Sequence, residues 1–72
     1  MDYNPNIMRD IFNKATALYD GDRDAANNWM VTDNDDFGGY SPLSYCKPYD
    51  GAVKVESYLD QKLRQKNTPP ST

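Results

Sequence analysis

The stretch from Trp29 to Leu43, W-M-V-T-D-N-D-D-F-G-G-Y-S-P-L, constrains the fold of this chain more than any other. An apolar helix end runs into an acidic turn, then a glycine pair, then Ser41-Pro42. Serine before proline is a strong helix start: the hydroxyl caps free backbone N–H groups, and proline loses nothing at a position whose N–H has no partner. Gly38 and Gly39 suit positive φ or a close backbone approach just before that start. The segment therefore specifies a tight corner between two helices.

Helical patterning continues on both sides. Asn4-Pro5 predicts a helix opening, with Asn4 as cap and Pro5 as the first helical residue. Ile7, Met8, Ile11, Phe12, Ala15 and Leu18 recur at helical spacing up to a stop near Gly21. Asp20 or Asp22 caps a second helix whose apolar face is Ala25, Ala26, Trp29 and Met30, ending near Val31-Thr32. A short third helix follows Ser41, with Leu43 and Tyr45 or Cys46 facing inward, and Pro48 closes it. Asp50 is the cap candidate for the last helix, where Ala52, Val55, Leu59 and Leu63 form a stripe flanked by Val53 and Tyr58. No strand-like alternation competes. The expectation is an all-α fold, a small single-domain bundle of three to four helices over residues 1–66, packed around Trp29 with Ile11, Leu18, Leu43, Val55 and Leu59 as neighbours. A disordered tail is expected over 67–72, where T-P-P-S-T offers no apolar anchor.

Length and composition exclude several functions. A domain of 72 residues buries only about 60% of its unfolded surface, and with no His and one Cys it has neither a disulfide nor a Cys/His zinc site to add stability. Self-association or a partner can supply further burial. A net charge of −3 argues against affinity built on neutralising phosphates, although Lys54, Lys62, Arg64 and Lys66 cluster late in the chain. With no apolar run of membrane-spanning length and no signal-like N-terminus, a cytoplasmic location is expected.

The acidic runs fail as calcium loops. Counting from Asp33, Phe37 stands at ligand position five and Ser44 at twelve; counting from Asp20, Ala25 replaces the glycine and Val31 the glutamate. Gly38-Gly39 lacks the phosphate-loop pattern, and Cys46 has no histidine to activate it. No metal, no cofactor and no catalysis are expected. What stands out is the tyrosine content: six in the chain, with Tyr40, Tyr45, Tyr49 and Tyr58 around the later turns. Tyrosine gives stiff contact area with a polar tip, as interfaces favour. Tyr40, Tyr45, Tyr49, Lys54, Tyr58 and Arg64 are therefore the candidate partner contacts. Trp29, Gly38, Gly39, Ser41 and Pro42 are the structural motif, with Trp29→Ala expected to cost roughly 3 to 5 kcal/mol if the ring is fully buried.

The run from Ala25 to Leu59 resembles the toxin-binding domain of Xre/MbcA/ParS-type antitoxins. That family's pattern is A-x-x-W-[LM], a T-x-N turn, a hydrophobic-G-G step, [TS]-P-L and a G-x-x-x-V-x-x-x-L final helix. Here it falls on Ala26, Trp29 and Met30, then Thr32 and Asn34, then Phe37 to Gly39, then Ser41 to Leu43, then Gly51, Val55 and Leu59. The resemblance implies a helical domain that neutralises a toxin by covering its active-site entrance, typically a RES-domain enzyme acting on NAD, with C-terminal residues often contributing. Three features depart from the pattern. Ser44 replaces an acidic residue, Cys46 replaces leucine, and one helix alone precedes the domain. A stand-alone domain without the family's usual helix-turn-helix is expected, so DNA binding and operon autoregulation are not carried over. A second functional class fits the composition: a small acidic inhibitor from a phage or mobile element that blocks a host defence complex or imitates nucleic acid. A third is a self-associating structural protein.

Overall fold

A computed structural model describes residues 3–67 of the chain. It contains four α-helices, α1 (Ile7–Leu18), α2 (Arg23–Val31), the single-turn α3 (Pro42–Tyr45) and α4 (Tyr49–Asn67), with a 3₁₀ turn at Asp35–Phe37. The fold is the expected all-α bundle. No strand occurs among the described residues. Helix α4 runs through Asn67, the first residue of the expected tail, and the remainder of that tail lies outside the described residues.

The long helices α1 and α4 lie side by side and parallel. Asn4 meets Tyr49 at one end, Lys14 meets Glu56 and Asp60 in the middle, and Lys66 reaches Ala17 and Leu18 at the other. Ile11, Ala15, Val55 and Leu59 are completely buried between these helices and α2, which contributes Ala26 and Met30. The described residues contain no helix long and apolar enough to cross a membrane.

Several caps form as the sequence dictates. The Asp22 carboxylate accepts the Ala25 N–H at 3.1 Å, and the Ser41 hydroxyl accepts the Ser44 N–H at 3.2 Å. The start of α1 differs from expectation. Asn4 Oδ1 accepts the Asn6 N–H and the Asn4 carbonyl accepts the Ile7 N–H, so Pro5-Asn6 forms a turn and the helix begins two residues later than Pro5. Its end closes near Gly21, as expected. The N–H of Gly21 returns to the Thr16 carbonyl and that of Asp20 to the Ala17 carbonyl, a Schellman closure in which Asp20, at φ 58°, takes the first left-handed position. Asp50 lies within the first turn of α4, behind a helix start at Tyr49, and complements the helix dipole there.

The centre of the core is displaced from Trp29. Trp29 is only partly buried, and Leu43 is 44% exposed where it was expected inside. A four-residue helix can turn only one face inward, and α3 uses that face for Pro42 and Cys46, both buried. Phe37 takes the central place. It is 4% exposed and touches three other rings, Trp29, Tyr45 and Tyr58, at centroid distances of 6.1, 5.2 and 5.0 Å. Trp29 covers this cluster from outside, stacked on Tyr58 at 6.0 Å.

Candidate partner-binding site

The loop between α2 and α3 is fixed by its own hydrogen bonds. The Asn34 carbonyl accepts the N–H groups of Phe37 and Gly39, its side chain accepts the Asp36 N–H, and its own N–H donates to the Tyr40 carbonyl. Gly38 and Gly39 sit at φ 68° and 87°, left-handed angles that a β-carbon disfavours, and together they turn the chain back toward Ser41. The effect is to press Phe37 inward while Tyr40 stands outward, 62% exposed.

Gly51 has a different function. A β-carbon there would lie 1.8 Å from the Tyr45 carbonyl oxygen, so the first turn of α4 can cross the end of α3 only because position 51 has no side chain. This crossing sets the wall spacing of the surface described next.

An open groove of about 560 Å³ lies between the 3₁₀ turn, Tyr45 of α3 and the outer face of α4. Phe37, Tyr45, Val53 and Tyr58 supply apolar walls, and Lys54 and Arg64 lie along α4. A second hollow of about 430 Å³ continues it past Tyr45 and Lys54 to Tyr40 and Asp50. Five of the six residues expected to make contact thus share one surface: Tyr40, Tyr45, Lys54, Tyr58 and Arg64. Tyr49 does not join them. Its ring packs on Tyr3 at 4.8 Å and its hydroxyl accepts the Asn4 N–H at 2.8 Å, which ties α4 to the approach to α1.

Polar contacts hold the groove in shape. The Tyr58 hydroxyl donates to Asp36 Oδ2 at 2.9 Å, latching the 3₁₀ turn onto α4; burial first, then the bond and charge of Asp36, push the phenol pKa above its ordinary value. Lys62 Nζ lies 5.4 Å from the centre of the Tyr58 ring. Across the seam between α1 and α4, Lys14 pairs with Asp60, which also lines the groove, at 2.8 Å and with Glu56 at 3.2 Å. Burial alone would lower the Lys14 pKa, but these two carboxylates more than offset it and the net shift is upward. Lys66 donates to the Ala17 and Leu18 carbonyls and pairs with Asp20, so the basic end of α4 caps the neighbouring α1.

Cys46 is buried, and burial pushes its thiol up to about 11, so at neutral pH it is a protonated core group rather than a nucleophile. Sequence reasoning did not anticipate Asp36 as the latch, Phe37 as the hub, or Val53, Ser57 and Gln61 as groove lining. The last three were detectable: with Arg64 they repeat every three or four residues, opposite the buried stripe of Ala52, Val55 and Leu59. The Asp36 contact spans 22 positions and leaves no local mark.

Comparison with known proteins locates this surface within a family. No curated protein and no solved structure matched the chain. The model of one family, the Antitoxin Xre/MbcA/ParS C-terminal toxin-binding domain, matches residues 14–62, which run from the middle of α1 to within two turns of the end of α4 and contain the whole groove except Arg64. The chain belongs to the Xre/MbcA/ParS antitoxin toxin-binding domain family, which supports an antitoxin-like, protein-binding role.

Proposed function

We propose that this domain neutralises a RES-type, NAD-acting toxin by occlusion, seating part of the toxin against the groove between the 3₁₀ turn, α3 and α4. The observation that carries this reading is the convergence of Tyr40, Tyr45, Lys54, Tyr58 and Arg64 on one open surface of a domain whose family binds toxins. Rigid aromatic walls at the centre with charged groups at the edge are the composition of a protein interface core and rim. Tyr49, engaged with Tyr3 and Asn4, serves the fold in this reading.

Co-expression with RES-fold toxins encoded beside the gene, read by growth and by co-purification, tests the proposal. Rescue together with a stable complex is the expected result. If all such toxins kill cells despite soluble antitoxin and none co-purifies, the reading is wrong. A complex with a nucleic-acid-binding or defence protein, dissolving as salt rises and unaffected by Tyr40→Ala, would instead support the acidic-inhibitor class.

A further inference from the structure

The loop between α2 and α3 spends its backbone hydrogen bonds on itself. The N–H groups of Asn34, Phe37, Gly38, Gly39 and Tyr40 donate to carbonyls within residues 34–40, and that of Asp36 donates to the Asn34 side chain. What ties this unit to the long helix is a side-chain bond, the Tyr58 hydroxyl donating to Asp36 Oδ2 at 2.9 Å. Phe37 supplies the apolar hold, and it too rests on Tyr58, with Trp29 and Tyr45 as its other ring contacts. Both attachments meet at one α4 side chain. The flanking residues Thr32 and Ser41 are extended, at ψ 134° and 151°, so rotation at these element ends swings the loop without breaking its own bonds.

We propose that residues 34–40 open and close as one unit, that the Asp36–Tyr58 pair is its latch, and that Tyr58 is accordingly a positioning residue for the partner-binding surface. A hydroxyl donating to a carboxylate is among the stronger hydrogen bonds, and this one joins the tip of the 3₁₀ turn to the body of the domain. Tyr40 travels with the unit, because its carbonyl accepts the Asn34 N–H and its own N–H donates to the Phe37 carbonyl. Only the latched loop presents Tyr40 beside Tyr45 and Lys54, so loop opening and the gripping of Tyr40 by a partner exclude one another. The coupling to a partner rests on the toxin-occlusion reading, whereas the motion itself does not.

Amide hydrogen exchange on the full, isotopically labelled chain tests the latch, in wild type, Tyr58→Phe, Asp36→Asn and Ile11→Val. Tyr58→Phe keeps the ring that packs on Phe37 and Trp29 and deletes only the hydroxyl, while Asp36 is exposed, so both variants keep the fold. In wild type the amides of Asn34 and of residues 36–40 are expected to exchange through one common opening, faster than those of Val55 and Leu59. Tyr58→Phe and Asp36→Asn should each speed these loop amides together, by about fivefold. Ile11→Val, which trims the buried seam of α1 and α4, should speed the Val55 and Leu59 amides and leave the loop amides as they were. Loop amides that accelerate with Ile11→Val would show that the loop opens only with the whole domain, and would overturn the proposal. So would unrelated rates within the loop, or no change in both latch variants. A saturating RES-fold toxin should slow the loop amides further; a toxin that binds and leaves them unchanged would sink the positioning role, whereas a latch confirmed by exchange without any toxin complex would sink only the identity of the partner.

Discussion

Substituting Gly51 by alanine tests the geometry on which the groove depends. Ordinary contact for the added carbon begins at about 3.4 Å, and here the Tyr45 carbonyl oxygen stands 1.8 Å away, so α3 and α4 must separate by about 1.6 Å in a close-packed interior. Overpacking of this kind costs about 1–3 kcal/mol, and the obstacle is backbone rather than a side chain that can rotate, which places the cost at the upper end. Alanine's better helix propensity returns about 1 kcal/mol. The net loss is about 2 kcal/mol, which at about 4–8 °C per kcal/mol for a domain of this length lowers Tm by roughly 8–16 °C. Gly39→Ala is the control: open space surrounds that position, and only the strain of φ 87° opposes the change, at about 1 kcal/mol. Thermal and urea unfolding followed by the fluorescence of Trp29, the chain's single tryptophan, reads both. A Gly51→Ala protein as stable as wild type would refute the close crossing of α3 and α4.

Phe37→Ala should cost about 3–5 kcal/mol, as for a fully buried ring, and Trp29→Ala less, about 2 kcal/mol, because the indole is only partly covered; urea midpoints showing the reverse order would restore Trp29 to the centre of the core. The Cys46 thiol should resist alkylation in the native state at pH 8 and react on unfolding; prompt native labelling would contradict its burial. Its ionisation also sets a pH dependence: the folded pKa of about 11 stands above the ordinary 9.0, so its contribution to stability is complete below pH 9 and fades as pH rises to 11, by about 2–3 kcal/mol. Wild type should lose more stability than Cys46→Ala across that window in urea melts. Lys66→Met should speed amide exchange at the C-terminal turn of α1 while shifting global stability by under about 1 kcal/mol, and unchanged exchange there would show that the cap contributes nothing.

The helices and caps were legible because their instructions are local. Asp22 and Ser41 cap where their side chains reach the next free N–H groups, and the stripe of Ala52, Val55 and Leu59 reports a buried face directly. The core's centre was not legible, since Trp29 and Phe37 compete for it and only the Asn34-centred loop decides which ring turns inward. Leu43 illustrates the same limit: in a single-turn helix, periodicity cannot distinguish the covered face from the open one. Gly51 was visible as part of a family pattern, but its reason, a carbonyl from another helix, exists only in three dimensions. The candidate contacts were legible as residue types. Their convergence was not, because Tyr49 and Tyr58 belong to the same helix and face different neighbours.

The central claim, that the face formed by α3, α4 and Tyr40 meets the toxin, is tested most directly by calorimetric titration of a purified RES-fold toxin with wild-type protein and with the Tyr40→Ala, Lys54→Glu double variant. Both side chains are exposed, so the variant should melt like wild type. The account predicts at least a tenfold loss of affinity and loss of growth rescue. Wild-type affinity in the double variant, with binding abolished instead by charge reversal at Arg23 on α2, would contradict it.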